Sequence, residues 1–149
     1  MTLPRPIMLA RRARWRLARG LHRNRIPASL RPWLLAGGSL TAQVSALCPG
    51  EFHVQVLRQS RSLPYADEAR ALGARISRPP ALIREVALSC GDSQLVLART
   101  VIPASSLRGP CRQLAGLGRR PLGTVLFADR STRRGPLHVT SLRMPAPGA

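Results

Sequence analysis

Apolar and polar residues alternate along the middle of the chain, and a two-residue period marks strands. Phe52, Val54 and Val56 alternate with Glu51, His53 and Gln55, which predicts a half-buried strand. A longer alternation runs from Ala81 to Ile102, interrupted at Gly91-Asp92, and predicts a hairpin that Pro103 ends. Around these strands lie short helical pieces. Ser29 suits an N-cap for a helix through Trp33, Leu34 and Leu35. Gly37-Gly38 breaks it, and Ser39 caps a second helix running through Val44 to Leu47. Pro49-Gly50 ends that helix. Ser60 to Pro80 is polar, and Ala66 to Leu72 reads as a short helix or a plain connection. Gly109-Pro110 opens a helix through Leu114 and Leu117, and Pro121 opens another through Leu122, Val125, Leu126 and Phe127. Pro136 to Met144 reads as a last strand. Strands mixed irregularly with short helices, without repeats, predict an α+β fold with an antiparallel sheet.

Composition sets the scale. The 149 residues suit one domain, divided into an arginine-rich extension over 1–25 and a folded part over 26–144. Aromatic residues are 3% of the chain, so the core must be built from Leu, Val, Ile and Ala. The net charge of +18 raises a nucleic-acid reading. All 24 basic residues are arginine and none is lysine; a phosphate-binding surface accepts either, so the exclusion reads as a compositional habit. No specific nucleic-acid partner is expected. Met1 to Arg25, with Trp15, Leu17 and Leu21 among its arginines, reads as a solvated helix or leader. A basic amphipathic helix on RNA or a membrane surface is the other reading. Cys48, Cys90 and Cys111 have no C-x-x-C spacing and form no ligand pattern with His22, His53 and His138. They are expected to be small buried thiols in a reducing compartment, and no metal or cofactor is expected. No apolar run reaches the ~20 residues of a membrane span and no secretory signal is evident, so the expectation is a cytoplasmic monomer.

The hairpin carries the chemistry. Alternation puts Leu82, Arg84, Val86 and Leu88 on one face of its first strand, and Leu95, Leu97, Arg99 and Val101 on one face of its second. Each set is apolar except for one arginine. Gly91-Asp92 suits a two-residue type II′ turn. Counting outward from it pairs Leu88 with Leu95, Val86 with Leu97 and Arg84 with Arg99. Two cations side by side on an apolar face destabilise each other, and Glu85 points to the other face. An external anion with two carboxylates would relieve them, because the guanidinium fork grips a carboxylate with two parallel bonds. A turn of another length, or arginines that snorkel to water, stands as the alternative.

Several blocks, in order, resemble the chorismate pyruvate-lyase family: Trp33-Leu34-Leu35 with Gly38-Ser39-Leu40-Thr41; Arg84-Glu85-Val86; Ala98-Arg99-Thr100-Val101-Ile102-Pro103 with Ser106-Leu107; and Pro121-Leu122-Gly123 leading to Leu126-Phe127. They cover roughly Ile26 to Leu137. The resemblance implies a curved antiparallel sheet with helices packed on it and a ligand buried beneath flaps. It implies cofactor-free conversion of chorismate to 4-hydroxybenzoate and pyruvate, the first committed step of ubiquinone synthesis. By residue match, Arg84 would hold a ligand carboxylate, the backbone at Leu40 and Leu122 would line the same pocket, and Arg99 would be a second basic position beside it. The family also has a glutamate on a strand near its C-terminus, facing the hydroxyl end of the product. Here the last acidic residue is Asp129, and Arg133 to Met144 offers no carboxylate for that role. A non-catalytic binding domain for aromatic acids, with the same fold, is the alternative.

Overall fold

The computed structural model describes residues 14–20, 26–73 and 79–141. It resolves into two compact units, Gly38–Thr132, and Met1–Gly37 with Arg133–Ala149. All six carboxylate side chains lie between Glu51 and Asp129, within the first of these.

In the terminal unit, β1 (Arg16–Leu17) pairs antiparallel with β5 (His138–Val139). Residues 14–20 therefore form a short strand and a 3-10 turn rather than the expected helix; the rest of the predicted extension, 1–13 and 21–25, lies outside the described residues. Helix α1 (Arg31–Leu35) begins after Leu30, not Ser29, with a proline in its first turn. The predicted last strand is limited to β5 among the described residues, and 142–144 lie outside them.

The larger unit is α+β. Helix α2 (Leu40–Leu47) starts where the Ser39 hydroxyl accepts a bond from the Ala42 N–H, 3.3 Å, which satisfies one orphan donor of the first turn. Three strands follow, β2 (Phe52–Ser62), β3 (Ala81–Cys90) and β4 (Ser93–Pro103), antiparallel in the order β2-β3-β4. Between β2 and β3 lies helix α3 (Ala66–Ala71). Its Glu68 carboxylate reaches back to accept from the Tyr65 N–H, 2.7 Å, a capping-box bond. After β4 the chain makes a 3-10 turn (Ala104–Ser106), a 3-10 helix (Gly109–Gly116) where an α-helix was expected, and helix α4 (Leu122–Leu126).

The arginine-bearing face of β3 was expected to be its core face. Both faces are buried instead. Leu82, Arg84 and Leu88 are buried on one, and Ile83 and Ala87, at 0% exposure, on the other. Flanked by β2 and β4, the strand is central, and a central strand covered on both sides reads as a continuous apolar run. On the Arg84 side, Leu82 and Ile102 form a core cluster with Leu114 and Leu117, against which Leu107, Leu122, Val125 and Leu126 pack. Burial of this cluster, at about 25 cal/mol per Å² of apolar surface, seats the 3-10 segment and α4 beneath Arg84.

The hairpin turn is as expected: Gly91 has φ 54°, and among the described residues no non-glycine, Asp92 included, has positive φ, which is the type II′ pattern. The register beyond it is not. Cys90 pairs with Ser93 and Ser89 with Gln94, but Leu88 then pairs with Val96, so that Leu95 is an extra residue. This bulge shifts every later pair by one. Arg84 faces Thr100, and Arg99 faces Glu85.

The cysteines also differ from expectation. Cys48 and Cys90 form a disulfide with Cα atoms 5.6 Å apart, within the usual range. It ties the end of α2 to the end of β3. Cys111 is a free, exposed thiol, so none of the three is a buried thiol.

Candidate active site

The Arg84 side chain leaves β3 on the face covered by the 3-10 segment and is 2% exposed. Its Nη1 donates to Gln59 Oε1 at 2.9 Å, and its Nη2 donates to the carbonyls of Gly118, 2.8 Å, and Arg120, 3.3 Å. Gln59 is its cross-strand neighbour on β2. The Gln59 amide also donates from Nε2 to the Ala115 carbonyl at 2.8 Å. Among the described residues every partner of Arg84 is thus a neutral oxygen. Burial pushes its pKa below the ordinary arginine value, with no carboxylate to oppose the shift.

The other expected residues lie as follows. Leu122 is the first residue of α4, two positions after the Arg120 carbonyl that Arg84 holds, and it packs on the core cluster beside Leu82. Leu40 is the first residue of α2. First residues of helices have N–H groups with no intrahelical acceptor. The starts of α2 and α4 meet at Gly123, where an added Cβ would lie 3.1 Å from Ser39 Oγ. Glycine is what lets the two helix starts approach.

Arg99 does not join this group. Its place beside Arg84 followed from a bulge-free register, and the bulge at Leu95 turns it to the opposite face of the sheet. There Nε donates to Glu68 Oε1 at 2.7 Å, Nη2 to Glu68 Oε2 at 3.2 Å and Nη1 to Glu85 Oε1 at 2.5 Å. The guanidinium also stacks 4.2 Å from the Tyr65 ring centroid. Burial pushes its pKa down, but the hydrogen bonds to both carboxylates and the Coulombic attraction of Glu68 outweigh it and the pKa rises. Glu85, expected to be out of reach, is one of its two counter-ions.

Gln59, Glu68 and Tyr65 escaped the sequence reading. The alternation over 52–56 did not reach Gln59, while Glu68 stands at the third position of a short helix, where its capping role is readable but its reach to Arg99 is not. Asp129, the last acidic residue, is exposed; bonds from the Ser131 hydroxyl, 2.7 Å, and N–H, 2.8 Å, hold its pKa below the carboxylate range. Among the described residues no group of three or more His, Cys, Asp or Glu is placed to hold a metal ion. No helix of theirs is long and apolar enough to cross a membrane.

A family model described as chorismate lyase matches residues 9–147. A protein of Methylococcus capsulatus named probable chorismate pyruvate-lyase is 49% identical over 102 residues, 68% of this chain and 62% of that protein. Proteins of the same name from Aromatoleum aromaticum and Marinobacter nauticus are 45% and 43% identical, over 77% and 81% of this chain and 61% and 64% of their own lengths. The chain thus spans about six-tenths of the length of these relatives. With the family model covering nearly all of it, the chain belongs to the chorismate lyase family.

Proposed function

We propose that this protein binds chorismate and converts it to 4-hydroxybenzoate and pyruvate, with Arg84 gripping the ring carboxylate and the backbone at Leu40 and Leu122 lining the pocket. The observation that carries this reading is the state of Arg84: a buried cation whose acceptors among the described residues are all neutral. Burying an unpaired charge costs several kcal/mol, and an anionic ligand supplies the missing partner. Arg99, matched by two carboxylates, serves in this reading to hold α3 on the face of the sheet opposite the site.

The chemistry asks little of the protein. Breaking the bond between the ring carbon and the ether oxygen expels enolpyruvate, loss of a ring proton completes the aromatic ring, and enolpyruvate takes up a proton to become pyruvate; aromatisation drives the step forward. Fixing the carboxylate and stabilising the charge that builds on the departing oxygen are the protein's tasks; no bound cofactor enters the balance. Elimination of this kind feeds quinone synthesis by supplying its ring acid.

A second reading, an aromatic-acid binder without turnover, rests on the same buried Arg84, which an anion satisfies whether or not it reacts. Incubation with chorismate separates the two, since 4-hydroxybenzoate and pyruvate form in equal amounts only under the first. The shared core of both is tested by calorimetry. Arg84→Ala should lower affinity for 4-hydroxybenzoate by about a hundredfold, the worth of a charge-assisted pair of ~1.5–3 kcal/mol. Unchanged affinity would remove Arg84 from the site.

A further inference from the structure

The ladder around Arg84 contains two irregularities, one on each neighbouring strand. On β4 the extra residue is Leu95. On β2 the register shifts between Val56 and Arg58, so Leu57 is extra. Continuing either strand without its bulge gives the same outcome. From Val56↔Val86, an unbroken β2 would set Arg58 opposite Arg84; from Ser89↔Gln94, an unbroken β4 would set Arg99 opposite Arg84. The two bulges move both arginines one place on, and both then face Glu85. The neighbours left beside Arg84 are Gln59 and Thr100, both neutral.

The geometry points to Gln59 as the positioning residue of the anion anchor, an inference that rests on the reading of Arg84 given above. Its amide is held at both ends. Oε1 accepts from Arg84 Nη1 at 2.9 Å, and Nε2 donates to the Ala115 carbonyl at 2.8 Å. The guanidinium is thereby pinned to β2 and, through the same amide, to the 3-10 helix Gly109–Gly116. A guanidinium has five N–H donors. Three go to Gln59, Gly118 and Arg120, which leaves the Nε donor and one on Nη1 for an incoming anion. The amide thus orients the cation, and the two donors left lie on different edges of it, each offering a single bond. A neutral acceptor does this without cancelling the charge. An aliphatic side chain would leave the guanidinium free to turn.

The test is a double-mutant cycle on the intact chain, using benzoate, benzamide and 4-hydroxybenzoate as probes. Gln59→Met keeps the length of the side chain and removes both hydrogen bonds; Gln59→Ala is the second variant. Both variants leave a donor of the buried guanidinium unpaired and should melt several degrees below wild type, so affinities are measured at a temperature where all variants are folded. Affinity for benzoate should fall about tenfold in each, while affinity for neutral benzamide holds. In an Arg84→Ala background, with ligand raised to millimolar, Gln59→Met should cause no further loss. Undiminished benzoate affinity in both Gln59 variants overturns the inference, and so does an equal loss in the Arg84→Ala background, which would make Gln59 an independent contact. If Arg84→Ala alone binds benzoate like wild type, the anchor reading itself fails, and the cycle distinguishes that result from the other two.

Discussion

The two faces of the sheet carry one arginine each, Arg84 buried and Arg99 half-buried, and they treat the charge differently. On one face Arg99 lies between Glu68 and Glu85, with Tyr65 stacked against it. On the other, Arg84 has an amide and two backbone carbonyls. A hydrogen-bond count would rate the two sites alike. A charge count separates them: Arg99 belongs to a neutralised structural cluster, whereas Arg84 keeps a net positive charge under cover. The first arrangement stabilises the fold without asking for a ligand. The second leaves electrostatic energy to be recovered when an anion arrives.

That comparison makes the two arginines fail in different ways when removed. The largest expected effect is on Arg99→Met. It leaves two carboxylates facing each other without a cation, and breaking such a partly buried cluster costs about 3 kcal/mol. The chemical denaturation midpoint should fall accordingly, with benzoate affinity held if the domain is kept folded. Arg84→Met comes next. Removing a desolvated, unmatched cation offsets the three acceptors left unsatisfied, so stability should change by no more than about 1 kcal/mol, read from the same midpoint. A loss as large as that of Arg99→Met would erase the contrast. The smallest effect is expected of Tyr65→Leu, which removes the ring beneath Arg99 and leaves its carboxylates. A cation–π contact of this kind is worth about 0.5–1 kcal/mol, measurable as a small downward shift of the melting temperature.

How far the sequence announced this arrangement depends on which interactions are local. The β2 strand, the II′ turn at Gly91 and the Ser39 cap were all readable, because each is fixed by a few neighbouring residues. Arg84 and Arg99 stood out as charges in apolar alternations; Arg84 is buried and Arg99 half-buried. Their relation was misread. A bulged leucine looks like any other leucine, and nothing in Gln94-Leu95-Val96 or Val56-Leu57-Arg58 marks the extra residue. One unrecognised bulge turned a carboxylate-matched arginine into an apparent cation pair. Glu68 reaches Arg99 across 31 positions of sequence, and the Cys48–Cys90 bond spans 42; pairings at such separations are settled by the fold rather than by spacing.

That disulfide also acts as a ruler. Cys48 closes α2, Cys90 ends β3, and Phe52 on β2 pairs with Cys90 itself. The bond therefore encloses the whole of β2, α3 and β3 in one covalent ring. Closing a ring of this size removes about 4 kcal/mol of chain entropy from the unfolded state by the loop-closure relation. It also meters the alignment of the two strands: with the sulfurs joined, β2 can slide against β3 only as far as the short link between Cys48 and Phe52 allows. The ring thus fixes the first half of β2, Phe52 to Val56, against β3, and the bulge at Leu57 sets the register of the second half from that fixed point.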